Sequence, residues 1–460
     1  ASQDAIVPFE PLVQALRAAL NALTPATRER VIADRPAMAV LLPELPQLVP
    51  TMRAERPPAE VERHLLFETV TDLLATESAV APILLVVDDV QWADTSTVRL
   101  LEHVLRDDRP SRVMLLLTER VPAERRHPEL DRLLLGLARD GELTRVEAGA
   151  LDDEAVGELL ARAGRPREGA GPLREITGGN AFFVSEVIAS GMGRDGTGTA
   201  VPESIRAMLT ARLDRLPPAS AHIVSLAAVA GQHATLPVLV AASERPADEV
   251  LDAVDVAVAA GLLREDGAGR LVTPHALVRY AVLDRLTGPR RMAHHRRIHA
   301  ALRQAAGDEV TAVELAHHAL VAGEGLPRAE RFTAALAAAE EALGRVAYEE
   351  VAEWVERARP LAAGEAGDAA RLATVESAAQ RALGDRERAE GAARRAWLLA
   401  QSTGDPILQA RAAESWVLAI SGVGFDFGQR AVPELTAALE AAIAALPDDA
   451  VEHQVWLRSM

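Results

Sequence analysis

Two apolar runs, ILLVV at 83–87 and the centre of SRVMLLLTER at 111–120, flank a single helical stretch, TSTVRLLEHVLRD at 95–107. Strand, helix and strand in so short a span leave few folds open. The strands must run parallel with the helix crossing between them, which is the βαβ unit of an open α/β sheet. Five leucine-rich and β-branched residues at 83–87 suit a strand buried on both faces. Sheets of this kind bind ligands beyond the carboxyl ends of their strands. Asp88, Asp89, Thr118 and Arg120 all fall at such ends. An apolar run that ends in twin carboxylates is either a strand meeting water or half of a metal–nucleotide site. The convergence of four polar residues favours the second.

Around this unit the chain reads as several domains, as its 460 residues require. Upstream, 10–23 and 61–77 have helical spacing, and proline-punctuated 34–58 reads as short helical pieces or loop. Downstream, a capped helix at 151–164 precedes TGGNAFFVSEVIAS at 177–190, a glycine turn entering a helix. Glycine-rich 191–200 reads as a linker. From 201 the order is helix, helix, helix, then a hairpin around Asp266-Gly267-Ala268-Gly269, the order of a winged helix. Two more helices close that part.

Beyond about 311 every segment is helical and alanine-rich. The stretches 342–362 and 382–400 begin alike, share an alanine-lined face and carry a bulky aromatic, at an offset of 40 residues. Such self-similarity points to a solenoid of helical hairpins. The offset exceeds the 34 residues of a tetratricopeptide repeat, so longer loops or degenerate repeats are expected. The last helix, ending VEHQVWLRSM, has no capping feature, so the solenoid is expected to continue past Met460.

Composition then excludes whole classes of function. A net charge of −18 argues against a phosphate-backbone binder. Without cysteine there is no disulfide framework or thiolate metal site. No apolar stretch approaches the roughly 20 residues of a membrane span, and the first residues lack a signal peptide's layout. A cytoplasmic protein is expected. All 49 basic residues are arginine, so no site in the chain can use a lysine.

The ordered set LLVVDDVQWAD, LLLTER, TGGNAFFVSEV, VPESIRAMLTARLDRL and PHALVRYAVLDRL resembles the signal-transducing P-loop ATPases of the STAND class. Within that class it resembles the large ATP-binding regulators of the LuxR type, common in actinobacteria. The motifs cover roughly residues 5 to 300, and the helical tail agrees in architecture. The fold implied is α/β plus all-α. It comprises a partial P-loop NTPase domain with a parallel sheet at 1–196, a winged-helix domain at 201–305 and tetratricopeptide-like repeats at 311–460.

The resemblance assigns roles residue by residue. Asp88 matches the Walker B aspartate, which holds Mg²⁺ through water. Asp89 matches the next acid, the catalytic position that orients the attacking water. Arg120 matches a sensor arginine able to reach a terminal phosphate, or else a surface ion pair. Thr118 would face the same cleft. Gly178, Gly179 and Asn180 match the turn near the adenine, although Ala181 stands where the family has proline. His275 matches a winged-helix histidine that touches the β-phosphate of ADP and locks the switch; a helix cap or packed side chain is the alternative. Trp92 and Asp94 belong to the signature, the tryptophan as packing beneath the loop.

The phosphate-cradling motif G-x-x-x-x-G-K-[ST] is missing, because it needs a lysine. Either the chain begins just after that motif, as its lack of an initiator Met suggests, or the protein is a natural pseudo-ATPase. The first is the expectation. It makes the chain a poor ATP binder on its own and an exposer of apolar sheet surface. The basic cluster RRMAHHRRIH at 290–299 reads as a solvated helix face. Its His295–His299 pair could hold a metal but lacks an acidic third ligand nearby. Adjacent His317 and His318 should point to different faces.

The function implied is an ATP-dependent signal-transduction switch, the sensor and regulatory part of a LuxR-type transcriptional regulator. Its ligands would be ATP or ADP with Mg²⁺ and an inducer or protein partner on the repeats. DNA would be met only by a domain outside these residues, and homo-oligomers are possible. Enzymatic activity would be a slow regulatory ATPase, inactive in these residues alone. The same module could instead regulate a class III nucleotide cyclase or a Ser/Thr protein kinase, or serve as a non-hydrolysing scaffold.

Overall fold

The computed structural model describes residues 7–52, 59–119, 128–189, 205–274, 276–305, 310–420, 433–447 and 449–459. It is mostly helical, with one small parallel sheet and one short hairpin. Its contacts divide it into two compact units, 1–136 with 295–460, and 137–294.

The first unit opens with helices α1 (Glu10–Ala22), α2 (Pro25–Ile32), α3 (Leu45–Leu48) and α4 (Ala59–Val80). Strand β1 (Ile83–Val87), helix α5 (Thr95–Leu105) and strand β2 (Val113–Leu117) follow, then α6 (Pro128–Asp140). The two strands pair in parallel, Ile83 opposite Val113 through Val87 opposite Leu117. The crossover unit therefore forms as the sequence requires. Burial on both faces does not hold. Alternation along each strand turns Ile83, Leu85 and Val87 inward, with α4 packed on both strands, while Leu84, Val86, Met114 and Leu116 remain exposed. An apolar run alone cannot distinguish a strand covered on one side from one covered on two.

The second unit holds α7 (Asp153–Arg162), α8 (Ala170–Thr177), α9 (Ala181–Ala189), α10 (Ile205–Asp214), α11 (Pro218–Ala230), α12 (Leu236–Ser243) and α13 (Ala247–Ala259). Helix α8 was not foreseen from the sequence. Strands β3 (Arg264–Glu265) and β4 (Leu271–Val272) then pair antiparallel, and α14 (Ala276–Arg285) follows. Asp266 shapes the hairpin: its Oδ1 accepts from the backbone N–H of Ala268 and of Arg270, both at 2.9 Å. Those bonds hold its carboxyl below the usual range despite some desolvation. The expected linker at 191–200 lies outside the described residues.

Helix α15 (Gly288–Ala305) carries the basic cluster, and its histidines do not form a solvated face. His294, His295 and His299 are all buried, and the exposed positions are arginines such as Arg296. Next come α16 (Ala312–Ala322), α17 (Arg328–Gly344), α18 (Tyr348–Ala362), α19 (Ala366–Ala382), α20 (Arg386–Thr403), α21 (Pro406–Ile420), α22 (Pro433–Ala445) and α23 (Val451–Ser459). His317 and His318 of α16 do not diverge as expected: their rings lie 5.5 and 5.0 Å from that of His295. Among the described residues no group of three or more His, Asp or Glu is arranged to hold a metal ion.

Consecutive helices from α16 to α22 pack in sequence, and α19 also packs on both α17 and α21. This is the stacking of helical hairpins in a solenoid. Alanine permits the close approach: Ala389, Ala393, Ala396, Ala412 and Ala413 are buried together, with Trp397 and Trp416 filling the remaining space. The shared start at 342 and 382 closes one helix rather than opening another, because Gly344 ends α17 and Gly384 follows the end of α19.

Candidate functional site

The acid loop is built by the ends of β1 and β2. Thr118, directly after β2, is its keystone. The Thr118 hydroxyl donates to Asp88 Oδ1 and accepts the backbone N–H of Asp89 at 2.9 Å. The backbone carbonyl of Thr118 accepts from Val90 N–H at 2.9 Å, and its own N–H donates to Val87 at 3.1 Å. One threonine thus fixes both acids. Asp89 adopts a left-handed conformation (φ 52°, ψ 46°), which a short polar side chain tolerates. Its Oδ1 accepts from Gln91 Nε2 at 2.9 Å. Asp88 and Thr118 are exposed and Asp89 is half-buried, so the carboxylates open to solvent. An exposed oxygen donor at a strand end, with one oxygen steered by a hydroxyl, fits an ion that keeps most of its water shell, such as Mg²⁺.

Trp92 closes the 3₁₀ turn Val90–Trp92 and is half-buried, as a packing residue would be. Asp94 is the N-cap of α5. Its Oδ1 accepts the N–H of Thr97 at 2.8 Å, and its Oδ2 accepts from the Thr97 hydroxyl and from the N–H of Phe9 at 3.2 Å. Aspartate outranks threonine at this position, so the pattern Asp-x-x-Thr could have identified the cap. Burial raises the Asp94 carboxyl against the lowering pull of these donors.

A contact invisible to sequence reading joins this helix to the repeats. Glu350, in the first turn of α18, accepts the backbone N–H of Ser96 at 3.2 Å and its hydroxyl at 2.6 Å. Beside it, Glu349 pairs with Arg63 of α4 at 3.0 Å and with Arg99 of α5 at 2.5 Å. The Arg63 guanidinium also lies 5.2 Å from the ring centre of buried Tyr348. The turn before α18 is strained, since buried, β-branched Val346 has φ 57°.

In the second unit the Thr-Gly-Gly-Asn element is a helix–helix turn. Gly178 (φ 61°) caps α8, and Gly179 (φ 70°) follows it. Gly179 N–H donates to Arg174 O at 3.0 Å, and Gly179 O accepts from Leu151 N–H at 2.7 Å. A Cβ at Gly179 would stand 2.5 Å from Leu151 O, whereas one at Gly178 meets nothing within 4 Å. Asn180 directly precedes α9, its Oδ1 accepting from Phe183 N–H at 3.4 Å. These residues have a structural reason for their identity in this turn. The structure therefore unites Asp88, Asp89 and Thr118 in one loop and places Gly178, Gly179 and Asn180 in the other unit. Arg120 and His275 lie outside the described residues.

No protein family and no curated protein matches the chain. Among solved structures it is similar to a Signal Transduction ATPase with Numerous Domains (STAND) protein with a tetratricopeptide repeat sensor from Pyrococcus horikoshii. The likeness has a TM-score of 0.45 at 12% identity, over 85% of this chain and 60% of that one. The chain thus spans less than two thirds of that structure's length. No helix among the described residues is long and apolar enough to cross a membrane.

Proposed function

We propose that the chain is the switch and sensor portion of a cytoplasmic, ATP-dependent signal-transduction protein of the STAND class, belonging to a LuxR-type transcriptional regulator. The observation that carries this reading is the Thr118 bridge, which presents Asp88 and Asp89 side by side at the carboxyl ends of parallel strands. In it Asp88 holds Mg²⁺ through water and Asp89 orients the attacking water. By the motif resemblance alone, Arg120 and His275 are assigned to the phosphates and Gly178, Gly179 and Asn180 to the adenine.

Residues 1–196 supply the Walker B half of the nucleotide domain, 201–305 a winged helix that relays its state, and 311–460 tetratricopeptide-like repeats that sense an inducer or partner. The helix order α11, α12, α13 followed by the β3–β4 hairpin supports the winged helix. The stacking of α17, α19 and α21 supports the repeats. Lacking lysine, these residues cannot form the G-x-x-x-x-G-K-[ST] cradle, so in this reading turnover requires a P-loop supplied from outside them. DNA contact likewise falls to a domain outside this acidic stretch.

The test is Asp88→Ala in a protein that joins these residues to a P-loop. Mg²⁺-dependent ATP turnover should disappear while the circular dichroism spectrum is kept. Undiminished turnover would overturn the assignment of Asp88 as the Walker B aspartate.

A further inference from the structure

We propose that Glu350 is a protonation-gated latch that fastens the helical repeats to the N-terminus of α5, the helix leaving the acid loop. Two buried carboxyl groups, Asp94 and Glu350, serve the same helix N-terminus. Neither forms an ion pair among the described residues, and the nearby guanidinium groups of Arg63 and Arg99 are taken by Glu349. Two like charges confined in one buried space oppose each other, so one group keeps a proton near neutrality. The donors decide which. Asp94 accepts from Thr97 N–H, the Thr97 hydroxyl and Phe9 N–H, a set that favours its ionised form. Glu350 accepts one fixed N–H, and its other partner is a hydroxyl that can turn round. With Glu350 protonated, its O–H donates to Ser96 Oγ over the same 2.6 Å and Ser96 N–H stays satisfied.

The surrounding charges do not neutralise the pair. On α4 Arg63 and on α5 Arg99 face Glu349, and Arg99 also reaches Glu129 of α6 at 3.9 Å. Arg345, just before α18, pairs with Glu341 of α17 at 2.8 Å, and Asp368 of α19 pairs with Arg328 at 3.1 Å. Burial first, and then the Asp94 charge, push the Glu350 carboxyl up to about 7. The sign follows. A carboxyl raised in the closed contact stabilises it fully below the ordinary value of 4.5, and this stabilisation is lost as pH rises through about 7. Above that, two carboxylates face each other and the contact of α18 with the helix that follows the acid loop is weakened about tenfold. The latch stands on this contact alone and does not depend on nucleotide binding.

The test is hydrogen exchange of the full chain at pH 6 and pH 8, corrected for intrinsic rates and resolved at the Ser96 amide and across 348–362. Protection should fall about tenfold between the two pH values, as a carboxyl moving from 4.5 to about 7 requires. In Glu350→Gln, which keeps an acceptor for Ser96 N–H and donates to its hydroxyl, the fall should vanish. Asp94→Asn retains a good cap and removes the opposing charge, so the midpoint should move to lower pH. A wild-type protein whose protection is unchanged, or an equal fall in Glu350→Gln, overturns the proposal. Should Glu350→Gln not fold, an unmoved midpoint in Asp94→Asn overturns it instead.

Discussion

Replacing Gly179 with alanine tests whether the Thr-Gly-Gly-Asn turn has its sequence for backbone reasons. Two costs add at this position. A left-handed conformation costs an alanine about 1–2 kcal/mol. The new Cβ also stands 2.5 Å from Leu151 O and 3.0 Å from Ala150 Cβ, so 150–151 must move. That movement stretches the 2.7 Å bond from Leu151 N–H to Gly179 O, worth about 1 kcal/mol net. Together these give about 2–3 kcal/mol. Gly178→Ala bears only the conformational cost, about 1–2 kcal/mol, because nothing lies within 4 Å of its new methyl. Hydrogen exchange over 151–189 measures the opening energy locally, so the two units need not unfold together. Gly179→Ala should exceed Gly178→Ala by about 1 kcal/mol. Equal losses, or a Gly179→Ala protein within about 0.5 kcal/mol of wild type, would refute the steric argument.

The other expectations concern the cap, the repeats, the open strand face and the missing cradle. Asp94→Ala should cost about 1–2 kcal/mol in urea unfolding through loss of the α5 cap, with Asp94→Asn losing less because its amide oxygen can still cap Thr97 N–H although its NH2 cannot accept from Phe9 N–H; equal losses would shift the role from capping to charge. Trp397→Ala should destabilise the repeats by about 3–5 kcal/mol, since its side chain fills an alanine-lined core, and a loss under about 1 kcal/mol would mean that core recloses easily. Leu84→Gln combined with Met114→Gln should reduce binding of an apolar dye while changing stability by less than about 1 kcal/mol, as both residues are exposed. A large loss would show that this face is packed. Titration calorimetry with MgATP should give little heat for these residues alone, and tight binding would show that the P-loop lysine is dispensable here.

The crossover unit was legible because its signals are local: two short apolar runs, a polar residue after each, and helical spacing between. The hairpin around Asp266 was legible for the same reason. Sequence patterns lose their grip where burial is decided by a partner. Nothing in ILLVV says that Leu84 and Val86 would face outward while Val87 is buried. In the basic cluster the charge of the arginines masks a helical spacing of buried positions. His294, His295, Ile298, His299 and Leu302 recur at helical intervals and are all buried, while the arginines between them account for the polar appearance.

Glu350 is the extreme case. In sequence it is an ordinary acid in the first turn of a helix, where the helix dipole favours it. Its partner Ser96 lies 254 positions away, and only the fold places it at the N-terminus of a different helix. There it shares a buried space with the one other carboxylate that α5 needs as a cap. Each of Asp94 and Glu350 sits at a helix start, where an acid is locally favourable. The conflict between them exists only after the repeats have docked. A titrating contact of this kind therefore has to be sought where two helix N-termini meet, and Glu350 beside Asp94 satisfies that condition with no cation paired to either among the described residues.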